Sequence, residues 1–344
     1  RRPPRSTPSN SSAASDVYKR QMPVEEIGQY GGTWHRAWLG VSDVGGIQRI
    51  VAERIIKFNS DGSKIIPEIA KSWEVSEGGK VFTFYLRKGM KWSDGVPFTA
   101  EDIRFWYEDV LLNKELTPIF PSFLIVDGEP GKLEIIDDYT IRFRFKEPYG
   151  FFLIQLAGSY TEFCLPKHYL KQFHPRYTPM KKLEEAAKKA GFTHWYQLFG
   201  AKLGITNPDY PTLTAWRMIT DPTATRVIME RNPYYWKVDP AGNQLPYIDR
   251  IALDLVENAE MINFKAMTGE IDMQMRHIQF ANYVMLMKNR EEGNYQILRW
   301  TDAVGAEPLI QLNQTCKDPV LRKLFQNDKF RKALSLAINR DEIN

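Results

Sequence analysis

The sequence is poor in the residues that most often hold metals, with only two cysteines and five histidines among 344 residues. Cys164 and Cys316 lie far apart, and neither has a CxxC partner or a histidine at zinc-ligand spacing. Their spacing leaves open whether they are buried thiols or form a disulfide. No pair of histidines has HExxH or another ligand spacing. We therefore expect no metal site and no cofactor.

The motifs of the common catalytic folds are absent too. The chain contains no GxSxG nucleophile turn, no P-loop, and no GxGxxG at a predicted strand–helix junction. Its adjacent carboxylate pairs, Glu101–Asp102 and Asp137–Asp138, stand at a predicted helix start and in a predicted turn, where such side chains have structural roles. Missing motifs do not exclude catalysis, but nothing in the sequence supports it.

Long apolar runs and a strong net charge are missing as well. The longest apolar stretch, Phe151–Ala157, is interrupted by Gln155 and is too short to span a bilayer. The formal net charge is +4, and residues 1–21 account for all of it, with five basic side chains against one acidic. The near-neutral remainder gives no reason to expect a nucleic-acid or anionic-membrane partner. A chain of this length can form two domains.

The two ends of the sequence differ from its middle. Residues 1–21 lack apolar periodicity, and Asp16–Gln21 (DVYKRQ) matches the in-frame translation of a common transposase sequencing adapter. We therefore interpret residues 1–21 as a non-native, disordered tail. At the other end, Phe330–Ile343 has the apolar spacing of an amphipathic helix but no cap. We expect a fragment of a longer protein, so the absence of an export signal carries no weight.

The middle of the sequence alternates strand and helix patterns, which favours an α/β fold. Val81–Leu86 alternates like a strand, and Gly95 supplies the positive φ of a tight turn. Thr99 has the features of a helix N-cap, with Asp102 three residues later as in a capping box. Further predicted strands are Gly31–Trp38, the hairpin Lys132–Phe145, Trp216–Arg231, Ile248–Val256 and Gly269–Met273; predicted helices are Ile47–Ile56, Phe98–Leu112, Phe151–Leu156, Lys181–Gly191 and Ala259–Thr268.

Four segments, taken in order, resemble those of the family 5 extracellular solute-binding proteins, the peptide, nickel and oligosaccharide receptors of bacterial ABC importers. The segments are residues 65–106, ERNPYYW (Glu230–Trp236), GEIDM (Gly269–Met273) and RKALSLAINRDEI (residues 331–343). One segment departs from the family pattern. Many relatives have a Gly-rich, GTGPY-like stretch before ERNP, whereas Pro211–Arg217 here is PTLTAWR.

The resemblance implies an α/β, periplasmic-binding-protein-like, two-lobed fold (type II) with an extra small α/β domain. By that analogy residues 22–57 and 211–314 form the first ligand-binding lobe, and residues 58–210 form the extra domain. Residues 315–344 are the start of a second lobe that is largely missing. Ligand is expected between the lobes, where hinge closure is what the permease recognises.

Two segments of the first lobe are candidate ligand-binding sites. Gly40, Val41, Ser42 and Asp43 match the family loop beside the ligand, and such a loop can present backbone groups to an extended ligand. The alternative is a plain connection. Met275, Arg276 and His277 follow a predicted strand, where side chains of open α/β sheets point into the crevice. The alternative is a solvated arginine and a surface histidine.

Two further candidates are polar or aromatic residues elsewhere in the chain. Gln311 and Asn313 alternate with apolar residues, as in a half-buried strand that enters the cleft with its polar face toward ligand. Trp216 and Trp300 are candidates for stacking on a sugar ring or a side chain. A large aromatic residue is more often part of the core.

The resemblance implies an extracytoplasmic solute-binding subunit, periplasmic or lipid-anchored at the cell membrane, monomeric, with ABC permease subunits as partners. Oligopeptides are the expected ligand, since main-chain hydrogen bonds hold a peptide regardless of its side chains. Oligosaccharides are the alternative, because 13% of the residues are aromatic and the NPYYWKVDPAGNQLPYID form is similar to sugar-binding members. A ligand sensor without transport is a third hypothesis. With half of the cleft absent, we expect this chain alone to bind ligand poorly.

Overall fold

The computed structural model describes residues 17–21, 26–158, 163–299 and 310–339. The chain divides into two compact units, Arg1–Gln296 and Ile297–Asn344. Its strands are β1 Lys19–Arg20, β2 Thr33–Trp38, β3 Ile56–Phe58, β4 Ile65–Pro67, β5 Ala70–Ser76, β6 Val81–Leu86, β7 Ile125–Val126, β8 Glu129–Pro130, β9 Lys132–Asp137, β10 Thr140–Arg144, β11 Trp216–Met218, β12 Arg226–Arg231, β13 Lys237–Val238 and β14 Arg250–Leu255. Its α-helices are α1 Gly45–Val51, α2 Ala100–Phe105, α3 Phe152–Gly158, α4 Lys167–Leu170, α5 Met180–Lys189, α6 Trp195–Lys202, α7 Ala259–Met267, α8 Tyr283–Asn289, α9 Pro319–Gln326 and α10 Asp328–Ala337.

The first of the larger unit's two four-stranded sheets has the order β11-β12-β14-β2. Its first three strands are antiparallel neighbours, and β2 lies parallel to β14 with His35 opposite Ala252. Period-2 alternation sends Trp34, Arg36 and Trp38 to one face of β2. Ala37 lies on the other face, in a small cluster with Ile262 and Ile271. This sheet positions the chain that leaves β2, where the candidate loop begins.

The second sheet, β5-β6-β10-β9, is antiparallel throughout and forms within residues 70–144. Helix α2 starts at Thr99, whose hydroxyl accepts from the N–H of Glu101, while Asp102 accepts from the N–H of Thr99. The capping box predicted from the sequence is confirmed. The helix continues as a π-helical segment, Trp106–Leu111. Gly95 has φ 90°, as its turn requires.

One large hydrophobic core joins the two sheets. It contains Trp38 of the first sheet, Phe84 of the second and Trp92 of the turn that follows, each 1% exposed or less. The strands of the two sheets come from stretches that the sequence assigned to different domains. The domain boundaries after residues 57 and 210 remain predictions.

Three predicted elements of the larger unit differ from the structure. The predicted strand Trp216–Arg231 is two antiparallel strands, β11 and β12, joined by a turn. The helix predicted at Ile47–Ile56 ends at Val51, because Ala52 is already extended and the chain turns into β3. Gly269–Met273 is not a strand but a turn after α7, in which Gly269 has φ 74°. No α-helix among the described residues is long and apolar enough to cross a membrane.

The smaller unit contains α9 and α10. Asp318 caps α9 by accepting from the N–H groups of Val320 and Leu321, and Asn327 caps α10 in the same way. The predicted helix at Phe330–Ile343 is confirmed as far as Ala337, and residues 340–344 lie outside the described part of the chain.

Residues 17–21 lie along β13, where β1 pairs in parallel with Lys237–Val238. The sequence predicted a disordered, adapter-derived tail over residues 1–21. The structure describes the last five of these residues as an extended segment with defined contacts. Their origin remains a prediction.

Candidate functional site

The loop that follows β2 is a tight backbone turn. Gly40 is buried and has φ 91°, and a Cβ at this position would lie 3.3 Å from Leu255 Cδ1. The positive φ therefore favours glycine at this position, and a side chain would also press on Leu255. Val41–Asp43 then forms one 3₁₀ turn that leads into α1. The turn leaves Val41 and Ser42 exposed and sends the Asp43 side chain inward.

Asp43 anchors this loop to the segment after α7. Its carboxylate is 5% exposed, accepts from Arg276 Nε, and lies 2.9 Å from His277 Nε2. The N–H of Leu39 also donates to it, at 3.4 Å. Two segments that the sequence singled out separately therefore meet at one buried carboxylate.

The segment that carries Arg276 and His277 is held by amide side chains. Asn263 on α7 donates to the carbonyl of His277 (2.8 Å) and accepts from the N–H of Gln279 (3.1 Å). Gln274 donates to the carbonyls of Ala37 and Arg276, at 3.1 and 2.9 Å. His277 has φ 65°, which is unusual for a residue with a side chain. These bonds fix the backbone that aims the Arg276 and His277 side chains at Asp43.

The first residues of α1 lie close to the Arg276 side chain. A Cβ built at Gly45 would lie 3.5 Å from Arg276 Cζ, and one built at Gly46 would lie 3.2 Å from Arg276 Cδ. Arg36 of β2 donates from Nη1 to the carbonyl of Gly46 (3.0 Å). Two arginine side chains therefore lie against the same stretch of backbone at the start of α1.

The electrostatics favour an ionised Asp43. Burial raises the pKa of Asp43, but hydrogen bonds from Arg276 and His277 outweigh this and hold it below its ordinary value of 3.8. Burial lowers the pKa of Arg36 to about 10, opposed by the nearby Asp43. Asp43 therefore holds the loop as a charged anchor, and its oxygens are occupied by protein donors.

The accessible part of the site is the rim of this anchor. Val41 and Met275 are each 44% exposed, and Met273 is 59% exposed. Ser42, which follows Val41, is exposed as well. Trp34 is half-buried and donates from Nε1 to the carbonyl of Met273 (3.1 Å). The rim offers apolar side chains and backbone polar groups. Arg276 and His277 are 35% and 23% exposed and both contact Asp43, so the alternative of a solvated arginine and a surface histidine does not describe them. Their part in ligand binding remains a prediction.

Trp216 belongs to the core rather than to the rim. It is 9% exposed, its ring lies edge-on to Trp34 at 6.3 Å, and its Nε1 donates to the carbonyl of Ile248 at 3.4 Å. The structure therefore agrees with the alternative to ligand stacking, in which this large aromatic residue is part of the core. Trp300, the other predicted stacking residue, lies outside the described residues.

Gln311 and Asn313 lie in the smaller unit, and both are exposed. Residues 310–313 have no strand structure, so the predicted strand at this position is wrong. Asn313 instead closes a turn, where its side chain accepts from the N–H and hydroxyl of Thr315 at 3.0 and 2.9 Å. Their part in ligand binding remains a prediction.

The residues that reasoning from the sequence missed are those that position the anchor: Arg36, Gln274 and Asn263. Asn263 is fully buried inside the apolar part of α7, and an amide among apolar helical residues was the signal that could have revealed it. No group of three or more potential metal-ligating side chains occurs in the described ranges. The structure there also contains no disulfide.

A profile of the family described as "Bacterial extracellular solute-binding proteins, family 5 Middle" matches residues 64–344. Among solved structures, an oligopeptide-binding protein OppA is 46% identical, with a TM-score of 0.80 over 96% of this chain and 53% of its own. MelB of Agrobacterium fabrum C58, a periplasmic binding protein in complex with stachyose, is 26% identical, with a TM-score of 0.71 over 92% of this chain and 49% of its own.

A curated relative, the periplasmic alpha-galactoside-binding protein of Rhizobium meliloti, is 30% identical over 318 residues, which is 90% of this chain and 43% of that protein. The chain thus spans about half the length of the relatives it matches. Its mixed α/β structure is that of the corresponding part of family 5 periplasmic binding proteins. The chain belongs to the family 5 bacterial extracellular solute-binding proteins, which are binding proteins and not enzymes.

Proposed function

We propose that this chain is part of the extracytoplasmic solute-binding subunit of an ABC importer, and that its ligand is an oligopeptide. Family membership supports the importer role, with permease subunits as the partners and a monomeric receptor outside the cytoplasm. The loop Gly40–Asp43, held by Asp43, is the proposed ligand-contacting element. Val41, Ser42 and Met275 are the proposed contacts.

The observation that carries the peptide proposal is the chemistry of the exposed rim. Asp43 is bonded to Arg276 and His277, so the charge of this anchor is directed at the protein rather than at a ligand side chain. What remains are backbone groups of a rigid turn and the flexible apolar side chain of Met275. Backbone recognition with an adaptable thioether suits peptides of varied sequence. The 46% identity to an oligopeptide-binding protein points the same way.

Oligosaccharides are the second candidate, on the strength of two relatives. One is named for alpha-galactosides and the other was solved with stachyose. Against this candidate, Trp216 lies in the core and offers no open face for a pyranose ring.

Saturation-transfer difference NMR tests the proposal, since it detects the weak binding expected of this chain. The full chain is mixed separately with tri- to pentapeptides of mixed sequence and with the sugars stachyose and raffinose, and the two sets of spectra are compared. Peptide protons are expected to receive saturation, and Met275→Ala and Ser42→Ala should reduce it. Glu115→Gln, an exposed carboxylate change in the same unit, is the matched control and should leave it unchanged.

Each outcome of this panel is decisive. Saturation of stachyose without peptide transfer would replace the peptide proposal by the sugar candidate. If neither the peptides nor the sugars receive saturation, even at several times the usual ligand excess, the result would count against both the peptide proposal and the sugar candidate. Transfer that Met275→Ala and Ser42→Ala leave unchanged would show that peptide binds elsewhere.

A further inference from the structure

A polar cavity of about 240 Å³ lies apart from the rim around Asp43, in the larger unit. It forms where the turn after Trp92, helix α4 and the chain that leads into β11 meet. The side chains that line it include Ser93, Asp94, His168, Tyr169, Asp209 and Arg217. Pockets for drug-sized ligands have volumes of about 300–1,000 Å³, so this cavity suits a smaller molecule, of amino-acid size.

The segment Pro211–Arg217, which departs from the family pattern, contributes both of its end residues to the cavity. Hydrogen bonds tie this segment to the opposite wall. The N–H of Ser93 donates to the carbonyl of Thr212 (2.9 Å), and the N–H of Thr212 donates to Ser93 Oγ (3.1 Å). The cavity is therefore a built part of the fold.

Arg217 brings to the cavity a cationic group without an acidic partner. It stands opposite Glu230 on β12, but the Glu230 carboxylate accepts from Arg250 on β14 instead (3.1 Å). The Nε of Arg217 is shielded from solvent and has no hydrogen-bond partner in the described part of the chain. A shielded guanidinium N–H without an acceptor is costly. Arg217 is therefore suited to bind an anionic group of a ligand.

Asp209 brings the opposite charge to the same cavity. Burial and, to a smaller extent, the negative charge of Asp209 raise the pKa of Tyr169, which places this carboxylate near the tyrosine wall. Within the described ranges Asp209 forms no ion pair, with Arg217 or with any other cation. The other acidic group of the lining, Asp94, already has a partner, since its Oδ2 lies 2.7 Å from His168 Nε2. Two opposite charges thus line one small space without neutralising each other.

We propose that this cavity binds a small zwitterion, such as a free α-amino acid, with its carboxylate on Arg217 and its ammonium group on Asp209. A guanidinium can donate two parallel hydrogen bonds to one carboxylate. A simple anion would leave the charge of Asp209 unmatched, and a simple cation would leave that of Arg217 unmatched. The site uses none of the residues around Asp43, so it is independent of the proposed transport ligand.

The test is a ¹H–¹⁵N NMR titration of the full chain with L-alanine and with two molecules that each carry one of its charges. Propionate keeps the carboxylate and lacks the ammonium group, whereas L-alaninamide keeps the ammonium group and lacks the carboxylate. We expect millimolar alanine to shift the Arg217 Nε–H signal and the amide signals of Ser93 and Asp209 in a saturable way. Propionate and L-alaninamide should each bind about tenfold more weakly or worse, because each loses one charge-assisted contact.

Two variants remove the charges of the cavity one at a time. Arg217→Gln and Asp209→Asn should each weaken the binding of alanine by about tenfold or more. Asp209 is exposed, so Asp209→Asn tests the site even if Arg217→Gln fails to fold. Arg290→Gln, at an arginine that follows α8 and does not line the cavity, is the matched control and should leave the binding of alanine unchanged.

Three results would overturn the proposal. If propionate or L-alaninamide binds as tightly as alanine, the cavity does not require both charges. If alanine causes no saturable shift at tens of millimolar, the cavity is not an amino-acid site. If the shifts are confined to residues 39–46, or persist unchanged in both charge variants, alanine binds elsewhere on the chain.

Discussion

Replacement of Asp43 by alanine removes the buried acceptor that joins the loop Gly40–Asp43 to Arg276 and His277. Breaking a fully buried ion pair costs about 3–5 kcal/mol, because the partner charge is left without compensation. Arg276 is 35% exposed and can turn toward water, so part of that cost is recovered. We therefore expect Asp43→Ala to lower the free energy of unfolding by about 2–3 kcal/mol.

Calorimetry and urea unfolding measure this loss directly. For a unit of the length of Arg1–Gln296, the entropy of unfolding is about 0.6 kcal/mol per kelvin, so the melting temperature should fall by about 3–5 °C. Glu115→Gln, at an exposed carboxylate, should change the free energy of unfolding by less than about 0.5 kcal/mol. Amide exchange over residues 39–46 should accelerate in Asp43→Ala and not in the control.

A double-mutant cycle separates the anchor from general damage to the fold. Asp43→Ala and Arg276→Ala should show a coupling energy of about 1–2 kcal/mol, since each removes the same contact. The folded state favours the ionised carboxylate, so the stabilisation is complete above the ordinary pKa of 3.8 and is lost as the pH falls below it. If the two mutations lower the free energy of unfolding additively, and amide exchange over residues 39–46 is unchanged, then Asp43 does not anchor the loop to Arg276.

Three other perturbations test the remaining parts of the structure. Thr99→Ala should destabilise the chain by about 1 kcal/mol in urea unfolding, because it removes the N-cap of α2; a Thr99→Ser variant that lost as much would contradict this. Lys237→Met should cost about 3–5 kcal/mol by the same assay, since it leaves Glu53 and Glu68 buried with fewer cations; a loss below about 1 kcal/mol would contradict the buried cluster. Burial lowers the pKa of Lys19 to about 8, against the attraction of Glu68. Lys19 therefore binds its proton more tightly when residues 17–21 are separated from β13, and the pairing of these residues with β13 should strengthen as the pH rises from about 8 to 10.5. Amide exchange of Gln21, corrected for its intrinsic pH dependence, measures that pairing, and Lys19→Met should abolish the trend.

Local patterns were sufficient for most individual elements. The strand Val81–Leu86, the hairpin within 132–145 and the capped helix after Thr99 were all predicted, because alternation, turn residues and caps act within a few residues. The failures arise where pairing between segments overrides the local pattern. The helical pattern of Ile47–Ile56 is cut short because β3 pairs with β4, a contact that no short-range signal encodes. The predicted strand Gly269–Met273 has no partner strand and forms a turn after α7.

The candidate site shows the same difference between what local patterns predict and what tertiary contacts decide. The sequence by itself determined the family, the α/β class and the identity of the two segments around Asp43 and Arg276, since these depend on ordered motifs and local patterns. Only the tertiary structure decided that Asp43 is an internal anchor and that Trp216 belongs to the core. Those outcomes depend on side chains that are distant in sequence and meet in the fold, as Asp43 and Arg276 do at a separation of 233 positions and Trp216 does with Trp34. Burial and charge pairing of that kind arise from the packing of β2 against α7 and the turn after it, and they are set by the folded chain as a whole.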